Sequence, residues 1–185
     1  FGKDGDFITS PLISNLFGEM LAIWFVAFWE YIGKPRKILL VELGPGDGTL
    51  CKDLLKTFRQ FKNFYNSLEI NLLEISYKFK KIQQKKISNN KVKWINDINK
   101  IICGPIIFLG NEFFDSLPIK QFYKKNELLF EKNITLLKNK KELGFVLKKA
   151  NKKLVEQMFN LSDFSSGSII EFPIGAIKYL SKIMK

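Results

Sequence analysis

Three observations predict an α/β fold built on a parallel sheet. Short apolar runs alternate with helical stretches across residues 35–118, a turn with three alternating glycines follows the first run, and a carboxylate closes the second. Residues 1–34 read as an N-terminal helical segment and residues 119–148 as an inserted β-meander, all within one domain spanning 1–185. At 185 residues and 46% hydrophobic content, the chain is long enough and apolar enough to bury a real core.

The N-terminal helix has local signals at both ends. Ser10 suits an N-cap, Pro11 the first helical position, and Gly33 followed by Pro35 a stop. Between them, Met20 to Trp29 is a ten-residue apolar run flanked by Glu19 and Glu30, about half of what a bilayer span needs. It therefore reads as a buried helix and not as a transmembrane segment. Its aromatics Trp24, Phe25 and Phe28 offer an alternative reading as a partner surface.

The first strand, Ile38 to Val41, runs into Glu42-Leu43-Gly44-Pro45-Gly46-Asp47-Gly48-Thr49. Glycine reaches positive φ without a Cβ clash and lets a ligand approach bare backbone, while the following helix aims its N–H groups at that ligand. A dinucleotide loop would place its third glycine at position 49, where this chain has Thr49. The spacing is instead Glu-x-Gly-x-Gly-x-Gly, the form associated with S-adenosyl-L-methionine (SAM). Glu42, Gly44, Gly46 and Gly48 are accordingly the first cofactor-binding candidates. Tight packing at a strand-to-helix turn would also use such glycines.

The second strand, Glu69 to Glu74, ends in a carboxylate 26 residues past Gly48. Glu74 is placed to accept hydrogen bonds from ribose hydroxyls, as in Rossmann-like sites; a solvated strand-end glutamate is the other reading. The third strand, Val92 to Asp97, closes on Asp97, which would meet an adenine amino group or simply cap a helix. The fourth strand, Pro105 to Gly110, reads as a buried apolar run and opens into Asn111, Glu112 and Asp115. Ligands in open α/β sheets sit beyond the carboxyl ends of the strands, so these groups should face the crevice of the glycine loop. Methyl transfer needs an aimed lone pair more than acid–base chemistry. Glu112 and Asp115 are the catalytic candidates, since two carboxylates would hold a guanidinium and draw its charge away from the attacking nitrogen. Alternatively Asp115 caps a turn and Glu112 is a structural acceptor.

Beyond Pro118 the pattern shifts to short β-like segments, Ile119 to Tyr123, Glu127 to Phe130, Ile134 to Leu137 and Leu143 to Leu147. Lys152 to Phe159 then reads as a helix, Ser168 to Phe172 as a strand, and Ile174 onward as a helix. The chain starts at Phe1 and stops inside that last helical pattern, so it reads as a C-terminally incomplete fragment, with later strands of the sheet expected beyond Lys185.

A net charge of +12 invites a nucleic-acid reading, but only Arg36 and Arg59 are arginines, and the lysines are scattered. The balance argues for lysine as generic surface residue and against nucleic acid as partner. Cys51 and Cys103 read as free thiols. The chain has no histidine, which argues against zinc hydrolases and Ser-His-Asp chemistry; no metal site is expected.

Four blocks in order, Gly5 to Pro11, Leu16 to Met20, Val41 to Leu50, and Asn111 to Asp115 with Leu117-Pro118, resemble the MidA-type SAM-dependent methyltransferases. The resemblance implies a Rossmann-like methyltransferase sheet with SAM as cofactor. It further implies cofactor contacts at Gly44, Gly46, Gly48 and Glu74, active-site membership for Glu112 and Asp115, and a place near the site for Asp6, Thr9 and Ser10. The mitochondrial members are complex I assembly factors that methylate a protein arginine. The implied function is thus arginine methylation of a respiratory complex I subunit, in the cytoplasm of a bacterium or else in the mitochondrial matrix. A non-catalytic assembly module on the same fold is the alternative, and a small-molecule methyltransferase a third. Three positions depart from the pattern: Leu12 in place of Glu, Ser116 in place of Ala, and Asp47 where Arg is common, which makes the loop more negative.

Overall fold

The computed structural model describes residues 14–101, 104–126, 128–137, 142–151, 155 and 164–184. The chain divides into two compact units, Phe1–Phe113 and Phe114–Lys185.

The first unit carries a parallel four-stranded sheet, β1 (Ile38–Leu43), β2 (Leu68–Leu73), β3 (Val92–Ile95) and β4 (Ile106–Leu109), in the order β3-β2-β1-β4. Strand order reverses between β1 and β4, so the chain leaves the sheet in opposite directions there and opens a crevice at the carboxyl ends. The register pairs Leu43 with Leu73 and Leu73 with Ile95, so the exits of β1, β2 and β3 align on one edge. β1 is central and nearly all buried. β4 was expected as a buried run but is half-buried along its length, since it pairs with one neighbour only among the described residues.

Helix α1 (Asn15–Tyr31) is capped by Ser14, whose hydroxyl accepts from Leu16 N at 3.1 Å. The Ser10 cap and the Pro11 first turn suggested by the sequence lie outside the described residues. The expected stop is present: Gly33 takes φ +90°, and Trp29 Nε1 donates to Pro35 O at 2.9 Å. One face of α1 buries Ala22, Phe25, Val26 and Trp29, while Leu16, Met20, Ile23 and Trp24 stay exposed. The buried-helix expectation therefore holds for half of the helix. The proposed aromatic surface divides as well, with Phe25 in the core and Trp24 stacked on Phe28 at 5.4 Å. Helices α2 (Thr49–Phe58) and α3 (Lys62–Ser67) complete the core, where Phe58 meets Phe64 edge-on at 4.9 Å and Trp29 meets Phe64 at 5.6 Å. Helix α4 (Tyr77–Lys86) follows β2.

The second unit is an antiparallel sheet of order β7-β6-β5-β8, from β5 (Lys120–Lys125), β6 (Leu128–Leu136), β7 (Leu143–Lys149) and β8 (Ile169–Phe172), followed by helix α5 (Ile174–Ile183). The meander is present with a correction: the two segments expected to end at Phe130 and to begin at Ile134 are joined in the single strand β6, and Glu127 lies outside the described residues. In its polar middle, Glu131 and Lys132 pair with both neighbours and Asn133 with β7, and Glu131 accepts an ion pair from Lys120 at 2.7 Å. β8 adds to the same sheet beside β5. Phe122, Leu129, Val155 and Ile170 form this unit's own core. The helix expected at Lys152 to Phe159 lies outside the described residues except at Val155.

Candidate functional site

The carboxyl edge of the parallel sheet gathers the cofactor candidates. β1 delivers Glu42 and the glycine turn, β2 delivers Glu74, and β3 delivers Asp97. Gly44, Gly46 and Gly48 all take positive φ, +63°, +56° and +83°, so each is required by backbone conformation. Their surroundings differ. A Cβ on Gly44 would come within 2.8 Å of the Phe113 ring, and one on Gly48 within 3.0 Å of Ile87 and 3.2 Å of Gln83, whereas one on Gly46 would meet no atom of the described residues within 4 Å. Gly44 and Gly48 serve packing as well as conformation; Gly46 is the point where a ligand has room to lie against backbone. Gly44 N donates to Leu73 O at 3.1 Å, tying the turn to the end of β2.

Glu42 is 3% exposed, and its Oε2 has no hydrogen-bond partner among the described residues. Burial, reinforced by the charge of Asp47, pushes its carboxyl up to about 8. A buried carboxyl lacking a partner is costly unless a cationic or hydrogen-bonding group meets it. The departure at Asp47 is balanced locally. Lys86 Nζ forms an ion pair with Asp47 Oδ2 and donates to Thr49 Oγ1 at 2.9 Å, while Asp47 Oδ1 accepts from Thr49 N at 3.0 Å. Burial works to raise the Asp47 carboxyl, but the bonds from Lys86 and Thr49 outweigh it and hold the group below its ordinary value.

Glu74 is anchored through both oxygens: Oε1 accepts from Ser76 N at 2.7 Å and Oε2 from Gln83 Nε2 at 3.0 Å. Each oxygen keeps a lone pair for a ribose hydroxyl. Asp97 caps the 3-10 turn Ile98–Lys100, accepting from Asn99 N at 3.0 Å, so the capping alternative is realised. Glu112 follows β4 and takes φ +53°, an uncommon conformation for a non-glycine residue that concentrates at functional loops. It closes the first unit just ahead of Phe113, while Asp115 lies in the 3-10 turn Phe114–Ser116 that opens the second. Both carboxylates are exposed. Asp6 and Thr9 lie outside the described residues, as does Cys103; Cys51 is buried, and burial followed by the nearby Glu42 raises its thiol well above the ordinary value.

Sequence reasoning missed Gln83. Helix α4 is rich in lysine, yet Gln83 is completely buried in it and bonds to Gly46, Glu74 and Trp94. A lone buried amide in a charged helix carries no periodic signal, and its partner Gly46 lies 37 positions away. A groove of about 320 Å³ lined by Lys52, Lys56, Arg59 and Lys86 includes none of the predicted site residues. Among the described residues no cluster of potential metal ligands occurs, and no helix is long and apolar enough to cross a membrane.

A family model described as "Putative S-adenosyl-L-methionine-dependent methyltransferase" matches residues 20–185. Among curated proteins, the chain is 35% identical over 150 residues to "Protein arginine methyltransferase NDUFAF7, mitochondrial" of Xenopus tropicalis, covering 68% of this chain and 35% of that protein. It is 37% identical over 147 residues to the Homo sapiens protein of the same name, covering 66% and 34%. The chain thus spans about a third of the length of these relatives. Among solved structures, a Burkholderia thailandensis protein crystallised with S-adenosyl-homocysteine superposes with TM-score 0.80 at 20% identity, covering 97% of this chain and 46% of that one, a likeness of fold.

Proposed function

The chain belongs to this SAM-dependent methyltransferase family, and from that membership we propose that it binds SAM at the carboxyl edge of the parallel sheet and methylates a protein arginine. The observation that carries the reading is the buried, partnerless Oε2 of Glu42 beneath a turn of three positive-φ glycines. An α-ammonium is the kind of group that would satisfy that oxygen, and Gly46 leaves room for a ligand against the backbone. Glu74 is assigned the ribose hydroxyls, and Asp97, already engaged as a cap, the adenine end.

When bound, the cofactor supplies an electrophilic methyl on a sulfonium. The chain's own part is to bind and to orient. Glu112 and Asp115 are assigned to the acceptor, where carboxylates hold a guanidinium and bias its charge away from the nitrogen that attacks. The arginine acceptor is supported by the names of the relatives, and a respiratory complex I subunit by the family resemblance. The compartment follows the acceptor: a bacterial cytoplasm, or the mitochondrial matrix.

Calorimetric titration of the whole protein with SAM tests the cofactor. We expect saturable binding that Gly46→Val abolishes, because a branched side chain is strained at φ +56° and fills the ligand's space. Absent binding, or binding indifferent to Gly46→Val, overturns the reading. Mass spectrometry of complex I arginines with and without the gene tests the acceptor. Partner capture that persists in Glu112→Ala and Asp115→Ala, with no methyl transferred even by wild type, would point to an assembly module.

A further inference from the structure

Gln83 makes one amide serve three elements. Its Nε2 donates to Gly46 O at 2.7 Å in the glycine turn and to Glu74 Oε2 at 3.0 Å after β2, while its Oε1 accepts from Trp94 Nε1 at 2.9 Å on β3. The side chain is 0% exposed, so these bonds are not exchanged with solvent. Both N–H groups of the amide are used, and only a carboxamide, on Gln or on the shorter Asn, offers two donors and an acceptor in that shape.

We propose that Gln83 is a positioning residue for cofactor recognition, locking the Glu74 carboxylate and the Gly46 carbonyl into one arrangement before the ligand arrives. The inference rests on Glu74 as the ribose acceptor. A glutamate side chain has several rotatable bonds, and a carboxylate that must be frozen on binding contributes less to affinity than one already held. With Oε1 fixed by Ser76 N and Oε2 by Gln83, the plane of the Glu74 carboxylate is set from both sides. The packing around Gly48 reinforces the brace, since Gln83 and Ile87 lie just where a Cβ on that glycine would project. Lys86 holds Asp47 from the same helix. Helix α4 therefore grips the turn at Gly46, Asp47 and Gly48 in succession.

The mechanism makes a demand that plain structural support does not: loss of Gln83 should weaken recognition of the ribose hydroxyls selectively. Calorimetry on the whole protein compares S-adenosyl-homocysteine with its analogue lacking both ribose hydroxyls. Gln83→Met keeps length and apolar volume but removes the donors. It is expected to weaken the hydroxylated ligand about tenfold, as loss of a hydrogen bond to a charged group does, and to leave the analogue unchanged. Combined with Glu74→Gln, it should cost nothing further, because both changes remove one interaction. In the ligand-free protein, the Trp94 indole proton should exchange faster in Gln83→Met than in wild type.

Equal weakening of both ligands by Gln83→Met, or no weakening, overturns the proposal. If Gln83→Met does not fold, Trp94→Phe decides, since it frees one end of the amide; unchanged discrimination between the two ligands then overturns it. Wild type that binds neither ligand sinks the SAM reading itself. Wild type that binds both, with discrimination untouched by Glu74→Gln, sinks the ribose assignment and this inference with it, leaving the cofactor reading in place.

Discussion

Glu42 is a carboxylic acid that this fold keeps protonated near neutrality. Its carboxyl stands at about 8 in the folded chain against an ordinary 4.5, so the folded state binds that proton more tightly than the unfolded one. The stabilisation is present below about pH 4.5 and is lost as pH rises through about 8. Thermal melts across this window should show a decline in wild type that Glu42→Gln flattens. Ligand binding runs the other way. A cationic ammonium is met best by the carboxylate, so SAM affinity should climb as pH approaches 8, with a proton released on binding that calorimetry in buffers of different ionisation enthalpy detects. Affinity independent of pH, with no proton released, would remove Glu42 from the cofactor site. The glycines and Glu42 were legible because a turn needing positive φ leaves an unmistakable residue choice and spacing. Glu42's missing partner was not, since satisfaction of a buried atom depends on everything that packs around it.

At the scale of elements, Ser14 shows how far local signals reach. Ser10-Pro11, the start that the sequence suggests, lies outside the described residues, while Ser14 is the residue that caps α1. Ser14→Ala should lower stability by about 1 kcal/mol, read as a shift in the denaturant midpoint without a change in slope. An unchanged midpoint would mean that the α1 cap contributes nothing. The four parallel strands were readable, each to within a residue or two, because buried parallel strands are continuous apolar runs between turn residues. β6 was not. Its Glu131-Lys132-Asn133 middle looks like a turn locally, and becomes strand because Lys120 on β5 and Val146 to Lys148 on β7 supply partners from distant sequence. Gln83 escaped notice for the same reason, its role being defined by Gly46, Glu74 and Trp94 and not by its own helix.

At the scale of the whole molecule, each unit has a core of its own among the described residues. The first surrounds Phe25, Phe58, Phe64 and the central strands, and its unit contains every cofactor candidate; the second is centred on Phe122. Phe122 is fully buried, so Phe122→Ala should cost about 3–5 kcal/mol within its own unit. Hydrogen exchange should accelerate in β5, β6 and β8 while β1 and β2 keep their protection. Uniform acceleration across both sheets would show instead that the units unfold as one.

The pairing of Asp47 with Lys86 reaches beyond this chain's own energetics. A residue in the turn and a residue at the end of α4 share one charge balance, so a change of sign at one is felt at the other: an arginine at 47 would face a lysine at 86. Reversing either sign alone would set two like charges side by side at Thr49, and only the paired exchange would restore the balance. The charge of the residue between Gly46 and Gly48 is thereby tied to a helix some forty positions downstream.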